Sequence, residues 1–180
     1  MRTLVIHPKD RSTNFLKGIY ENIPNKVVIT NGVSRKELKE IIPQFDRVIM
    51  CGHGSPYGLM GVGQFKDRGN IIDETLVYLL QNMEQNIYIW CHANMFVERF
   101  KLKGFYSGMF VSEVSEGHYC GVQGVNKKMV ESSNYRFVKH LSSVVEKDKL
   151  TIFKQVKKKY GITSRTNPVS FYNHQRLFVS

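Results

Sequence analysis

Two residues in this sequence have the types and settings for covalent catalysis. The apolar run Val48-Ile49-Met50-Cys51 passes into Gly52-His53-Gly54-Ser55, and the run Ile87-Tyr88-Ile89-Trp90 passes into Cys91-His92-Ala93-Asn94. If both runs are parallel strands of one sheet, His53 and Cys91 leave it at the same edge. Neighbouring strands lie about 4.8 Å apart, which brings an imidazole within reach of a thiol. A free thiol has a pKa of about 8.5 and needs a nearby base or cation to attack near neutral pH. His53 supplies the base. Gly54 lets its backbone N–H approach a substrate, and together with the Cys91 N–H it would make an oxyanion hole. Nucleophile, base and oxyanion donors are the groups that acyl transfer requires.

The elements that must position these residues alternate between strand and helix. Strands are expected at 3–7, 26–30, 47–51, 86–90 and 107–112, with a last one at 171–179. Helices are expected from Ser12 or Thr13 to about Asn22, from Ser34 onward, and at 73–81, 94–103, 129–147 and 151–160. The tetrad Ser34-Arg35-Lys36-Glu37 has capping-box spacing. Gly104 and Gly161 read as helix stops, and the Gly-rich stretch 57–69 as a hairpin or loop. Continuous apolar strands separated by helices imply a mainly parallel sheet covered on both faces, with its site beyond the carboxyl ends of the strands.

A chain of 180 residues with 42% hydrophobic and 23% charged residues reads as one globular α/β domain, 1–180. No apolar run approaches the roughly 20 residues of a membrane span, and the opening Met1–Pro8 is too short for a signal peptide. Three cysteines without a CxxC pair point away from a disulfide framework and toward a reducing, cytoplasmic setting. The pairs Cys51/His53, Cys91/His92 and His118/Cys120 lack the spacing of structural zinc sites, and no metal or cofactor is expected. His7, His140 and His174 read as structural or solvated.

The net charge of +11 is uneven. Residues 1–125 hold 14 Lys/Arg against 12 Asp/Glu, and residues 126–180 hold 12 against 3. This divides the domain into a near-neutral part carrying the chemistry and a basic helical part. Lysines mixed with aromatics between Lys154 and Arg176 suit an anionic partner, nucleic acid or protein; the bland reading is a solvated helix face.

An apolar strand ending in His-Gly, a Gly-containing hairpin, a helix, and a second apolar strand ending in Cys resembles the caspase, gingipain, legumain and clostripain group of cysteine peptidases. The stretch His53–Gly61, continuing through Asn70–Leu76, carries the resemblance, which covers roughly 1–125. It implies a three-layer caspase-like fold with central sheet order 2-1-3-4. It also implies His53 as base, Cys91 as nucleophile and a peptide or protein substrate. Trp90 and His92 depart from the small or basic residues that usually flank the family's cysteine. In the family, the pocket for the side chain before the scissile bond draws on segments after the first strand and after the strand following the cysteine. Here those segments hold Asp10, Glu113 and Glu116, which would favour a cationic side chain. Arg11 beside Asp10 leaves the caspase-type preference for Asp open. Two readings other than a peptidase remain: an inactive domain that kept the fold, and a binding module built on the basic third.

Overall fold

The computed structural model describes residues 1–180. The central sheet has six strands in the order β2-β1-β3-β7-β8-β9. They are β1 (Thr3–Ile6), β2 (Lys26–Ile29), β3 (Arg47–Cys51), β7 (Asn86–Ile89), β8 (Gly104–Ser107) and β9 (Leu177–Val179). The first five are parallel, and β9 runs antiparallel to β8. A second, three-stranded antiparallel sheet is made by β4 (Gly54–Ser55), β5 (Gly58–Met60) and β6 (Asn70–Ile72).

Side chains alternate across the strands, and each central strand feeds two cores. Leu4, Ile6, Val48, Met50, Tyr88 and Trp90 face one side. There they meet α2 (Arg35–Ile41), α3 (Val77–Leu80), α4 (Ala93–Arg99) and the small sheet. Val5, Ile49, Cys51, Ile87 and Ile89 face the other. They pack on α1 (Lys17–Tyr20), α6 (Lys127–Ser142) and α7 (Lys149–Ser164). The molecule is thus a three-layer α/β fold with a mixed, mostly parallel sheet. No helix is long and apolar enough to cross a membrane.

Most expected elements are present, and the differences have local causes. Ser34 caps α2 with the full capping box, its Oγ 3.1 Å from the Glu37 N and its N 2.7 Å from the Glu37 Oε2. The fifth strand is Gly104–Ser107 and not 107–112. Gly104 does not merely stop a helix. Its φ is +144°, and a Cβ there would lie 2.1 Å from the Asn86 O of the neighbouring strand. After Ser107 the chain leaves the sheet, and the Val111 N and O bind the Asn173 side chain.

A short helix, α5 (Val114–Tyr119), follows where no helix was expected, with Glu113 and Glu116 forming its capping box. The segment read as the last strand begins as α8 (Pro168–His174). Asn167 caps it, and Pro168 takes a first-turn position where its missing N–H is no loss. Gly161 lies inside α7, which ends at Ser164, and α6 ends at Ser142 rather than near 147. The expected helices over 12–22 and 73–81 are each a 3₁₀ turn followed by a four-residue helix, and α4 ends at Arg99 rather than Lys103.

Candidate functional site

The register of β3 on β7 sets the site. Cys51 stands opposite Ile89, and the Gly52 N–H extends the pairing by bonding the Ile89 O at 3.0 Å. His53 and Cys91 each lie two residues beyond that matched pair, so both emerge at the carboxyl edge of adjacent strands. Cys91 sits in a strand-to-helix turn closed by the Ala93 N–H on the Trp90 O at 3.2 Å. The turn needs a left-handed residue, which His92 supplies at φ 66°, ψ 24°; His adopts this region more readily than most side chains. The Ser107 Oγ donates to the same Trp90 carbonyl at 3.0 Å and ties the turn to β8.

The imidazole is held from one side. The His53 Nε2 lies 2.7 Å from the Ser12 Oγ and 3.3 Å from the Asp10 Oδ1. Ser12 also gives its backbone N–H to the Asp10 Oδ1 at 2.8 Å and points its hydroxyl at the same oxygen. A hydroxyl has one proton. Once it goes to the carboxylate, the Ser12 Oγ can only accept from His53, which places the ring proton on Nε2. Nδ1 then carries the free lone pair, and it has no hydrogen-bond partner. The Ser12 hydroxyl and N–H, with His53 adding less, hold the Asp10 carboxyl below its usual range. Of the two expected caps, Thr13 takes the N-cap position of the 3₁₀ turn without a side-chain cap bond, and Ser12 closes an Asx turn with Asp10. The Asp10-x-Ser12 spacing is the signal for this, and it was legible.

The thiol is held differently. The Cys91 Sγ is 3.5 Å from the Phe110 O and 4.0 Å from the Glu116 Oε1. Burial pushes the thiol up to about 11, with the Glu116 charge adding to the effect. His53 and Cys91 line one cavity of about 20 Å³, shared with Leu16, Phe110, Ser112 and Glu116. The cavity has room for a single water, and no hydrogen bond joins the two side chains. Larger recesses open on either side. One of about 500 Å³ is lined by Lys9, Asp10, Lys17 and Tyr20, and one of about 610 Å³ by His92, Tyr119, Tyr172 and Phe178.

The remaining expected site residues divide. Gly54 is paired in β4, where a Cβ would lie 2.1 Å from the Trp90 Cδ1. Close packing therefore demands glycine there, whatever its N–H does. Trp90 is 1% exposed and donates its indole N–H to the Ser55 O at 3.1 Å, so it fastens the strand end of Cys91 to the hairpin after His53. Glu116 lies at the cavity. Its Oε2 accepts from the Ser112 N, the Ser112 Oγ and the Glu113 N, leaving Oε1 toward Cys91. Asp10 lies on the His53 side, and Glu113 is exposed outside the cavity. The three acids do not converge on one pocket. No three His, Cys, Asp or Glu side chains are grouped to hold a metal ion. Phe110, whose carbonyl accepts the thiol hydrogen bond, falls within the segment expected as a strand and carries no site signal in the sequence.

No family model, no curated protein and no solved structure matches this chain.

Proposed function

We propose that the chain is a cysteine peptidase of the caspase-like kind, with Cys91 as nucleophile and His53 as general base. The observation that carries this reading is the matched exit of His53 and Cys91 from paired strands into one cavity, with Asp10 and Ser12 fixing the imidazole so that Nδ1 is the basic nitrogen. In the reaction, Nδ1 takes the Cys91 proton and Sγ bonds to the scissile carbonyl carbon. Backbone N–H groups at Cys91 and Gly54 receive the oxyanion. The imidazolium gives its proton to the leaving amine as the C–N bond breaks. Water, deprotonated by the same nitrogen, then hydrolyses the thioester and restores the thiol. The resting cavity is too small for a peptide, so substrate lies across the rim between the two larger recesses and draws the thiol toward His53.

Substrate choice follows from Glu116. Its Oε1 is the carboxylate oxygen beside the nucleophile that has no other hydrogen-bond donor, and it favours Arg or Lys over Asp before the scissile bond. The preference is at least tenfold, or about 1.4 kcal/mol in the transition state. The second reading, an inactive domain, is favoured by the small cavity, with room for a single water, and by the raised thiol.

The test is hydrolysis of fluorogenic peptides differing only at the residue before the cut. Cleavage after Arg or Lys that disappears in Cys91→Ala, with an unchanged melting temperature, supports the peptidase. Full activity in that variant places the nucleophile elsewhere, and no cleavage of any peptide by the parent protein favours the inactive domain.

A further inference from the structure

From residue 126 onward, only Lys127 and Lys149 meet a carboxylate, those of Glu131 and Glu84. The other basic side chains of this region are not scattered at random over it. Along α6, Lys128, Ser132, Arg136 and Lys139 recur at helical spacing and form one stripe about 16 Å long. The first and third, with Ser132 between them, line a groove of about 340 Å³ between α6 and the end of α7. Across the groove stand Thr163 and Thr166, with Asn126 and Asn167 at its end and no acidic residue in the lining.

Lys159 lies one turn before Thr163 and so points to the same side of α7. His140 of α6 lies within the field of both helices: burial, then Lys159 of α7 and Lys139 and Arg136 of α6, hold its pKa down. Lys128, Arg136, Lys139 and Lys159 are exposed. Between Ser132 and Lys139 on α6, Tyr135 is 65% exposed, with the Lys139 ammonium 5.8 Å from its ring centroid.

We propose that this groove binds single-stranded nucleic acid, with Lys128, Arg136, Lys139 and Lys159 on its phosphates and Tyr135 against a base. Unpaired cations interleaved with hydroxyls and amides suit phosphate oxygens, and an exposed aromatic adds sequence-tolerant stacking. An anionic lipid surface also attracts basic clusters, but it is flat, whereas Lys128 and Arg136 line a groove. The exposed Tyr135 ring favours a single strand over a duplex, whose bases stack on one another and leave no face for it.

The test is fluorescence anisotropy with a labelled 20-nucleotide oligothymidylate. Four phosphate contacts give a slope of log affinity on log salt of about −2.8, so binding weakens about 50-fold between 50 and 200 mM NaCl. The variant Lys128→Gln/Arg136→Gln/Lys159→Gln should bind at least tenfold more weakly and show a slope near −0.7. The control Lys154→Gln/Lys158→Gln/Arg165→Gln removes the same charge from exposed positions outside the groove lining and should lose less than threefold. Circular dichroism checks that both variants fold. Equal losses in the two variants would reduce the binding to net charge and overturn the proposal. Tighter binding of a 20-base-pair duplex, of phosphatidylserine vesicles or of polyglutamate than of the single strand would also overturn it.

Discussion

The two halves of the candidate site are prepared to different degrees. On the β3 side, His53 is half-exposed, hydrogen-bonded through Nε2 to Ser12 and Asp10, and committed to one tautomer. On the β7 side, Cys91 lies in a cavity of about 20 Å³, gives its proton to a carbonyl, and is pushed up to about 11 by burial. On the proposed reading, the base would be set before substrate arrives and the nucleophile would not. An exposed thiolate poised beside its base would be oxidised or would react with any electrophile. On the proposed reading, a protonated, partly covered thiol stays inert until a peptide on the rim completes the pair.

The two halves can be pulled apart experimentally. The largest effect belongs to the nucleophile. Cys91→Ala should lower peptide cleavage by more than about 10⁴-fold, whereas His53→Ala, which removes general base and general acid catalysis but leaves the nucleophile, should cost about 10²–10⁴-fold in kcat. Equal losses would mean that the halves act as a single unit.

A second histidine, His7, at the end of β1, gives an internal contrast to His53. It is 4% exposed, with Nδ1 2.8 Å from the Tyr20 hydroxyl and Nε2 3.3 Å from the Thr13 Oγ1. Burial lowers its pKa to about 4, against smaller raising effects from Thr13 and Asp10. The folded chain thus binds this proton less readily than the unfolded chain. Stability is lost as the pH falls from about 6.5 to about 4, by up to about 3 kcal/mol. Urea titrations across that window should show the loss in the parent protein and a smaller one in His7→Gln. Parallel pH profiles would mean that His7 is charged in the fold.

Smaller effects test the supports. Ser12→Ala leaves both His53 and Asp10 in place but frees the imidazole to change tautomer, and kcat should drop about tenfold with KM little changed. A rise in KM alone would instead put Ser12 in substrate binding. Glu116→Gln should reduce the Arg-to-Asp cleavage ratio about tenfold. A ratio left untouched would remove Glu116 from specificity.

The sequence shows the positions of the strands that carry the site more clearly than it shows the site's state. β1, β2, β3 and β7 are apolar runs bounded by turn residues, and each lies within a residue of its expected bounds. Ser34 and Glu37 announce α2 because a capping box is local chemistry. The misplacement of β8 has a non-local cause: Gly104 is selected by the Asn86 carbonyl on the next strand, which sequence spacing does not reveal. The apolar Met109-Phe110-Val111 then looks like a strand, although Phe110 covers the thiol. Glu113 is not a usual N-cap residue, so the helix it opens with Glu116 is not announced by the sequence. The protonation of Cys91 was beyond reach, since it depends on how Leu16, Phe110 and Glu116 close over it from three separate segments.

The central claim is that Cys91 and His53 form one reactive pair when a peptide is present. It is tested most directly by the rate at which a peptidyl acyloxymethyl ketone with Arg at the reactive end alkylates the protein, compared with iodoacetamide and followed by mass spectrometry. The account predicts modification at Cys91 alone, at least 100-fold faster with the peptide reagent than with iodoacetamide, and slowed at least 100-fold by His53→Ala. Equal rates with both reagents, modification at Cys51 or Cys120, or a rate indifferent to His53→Ala would contradict it.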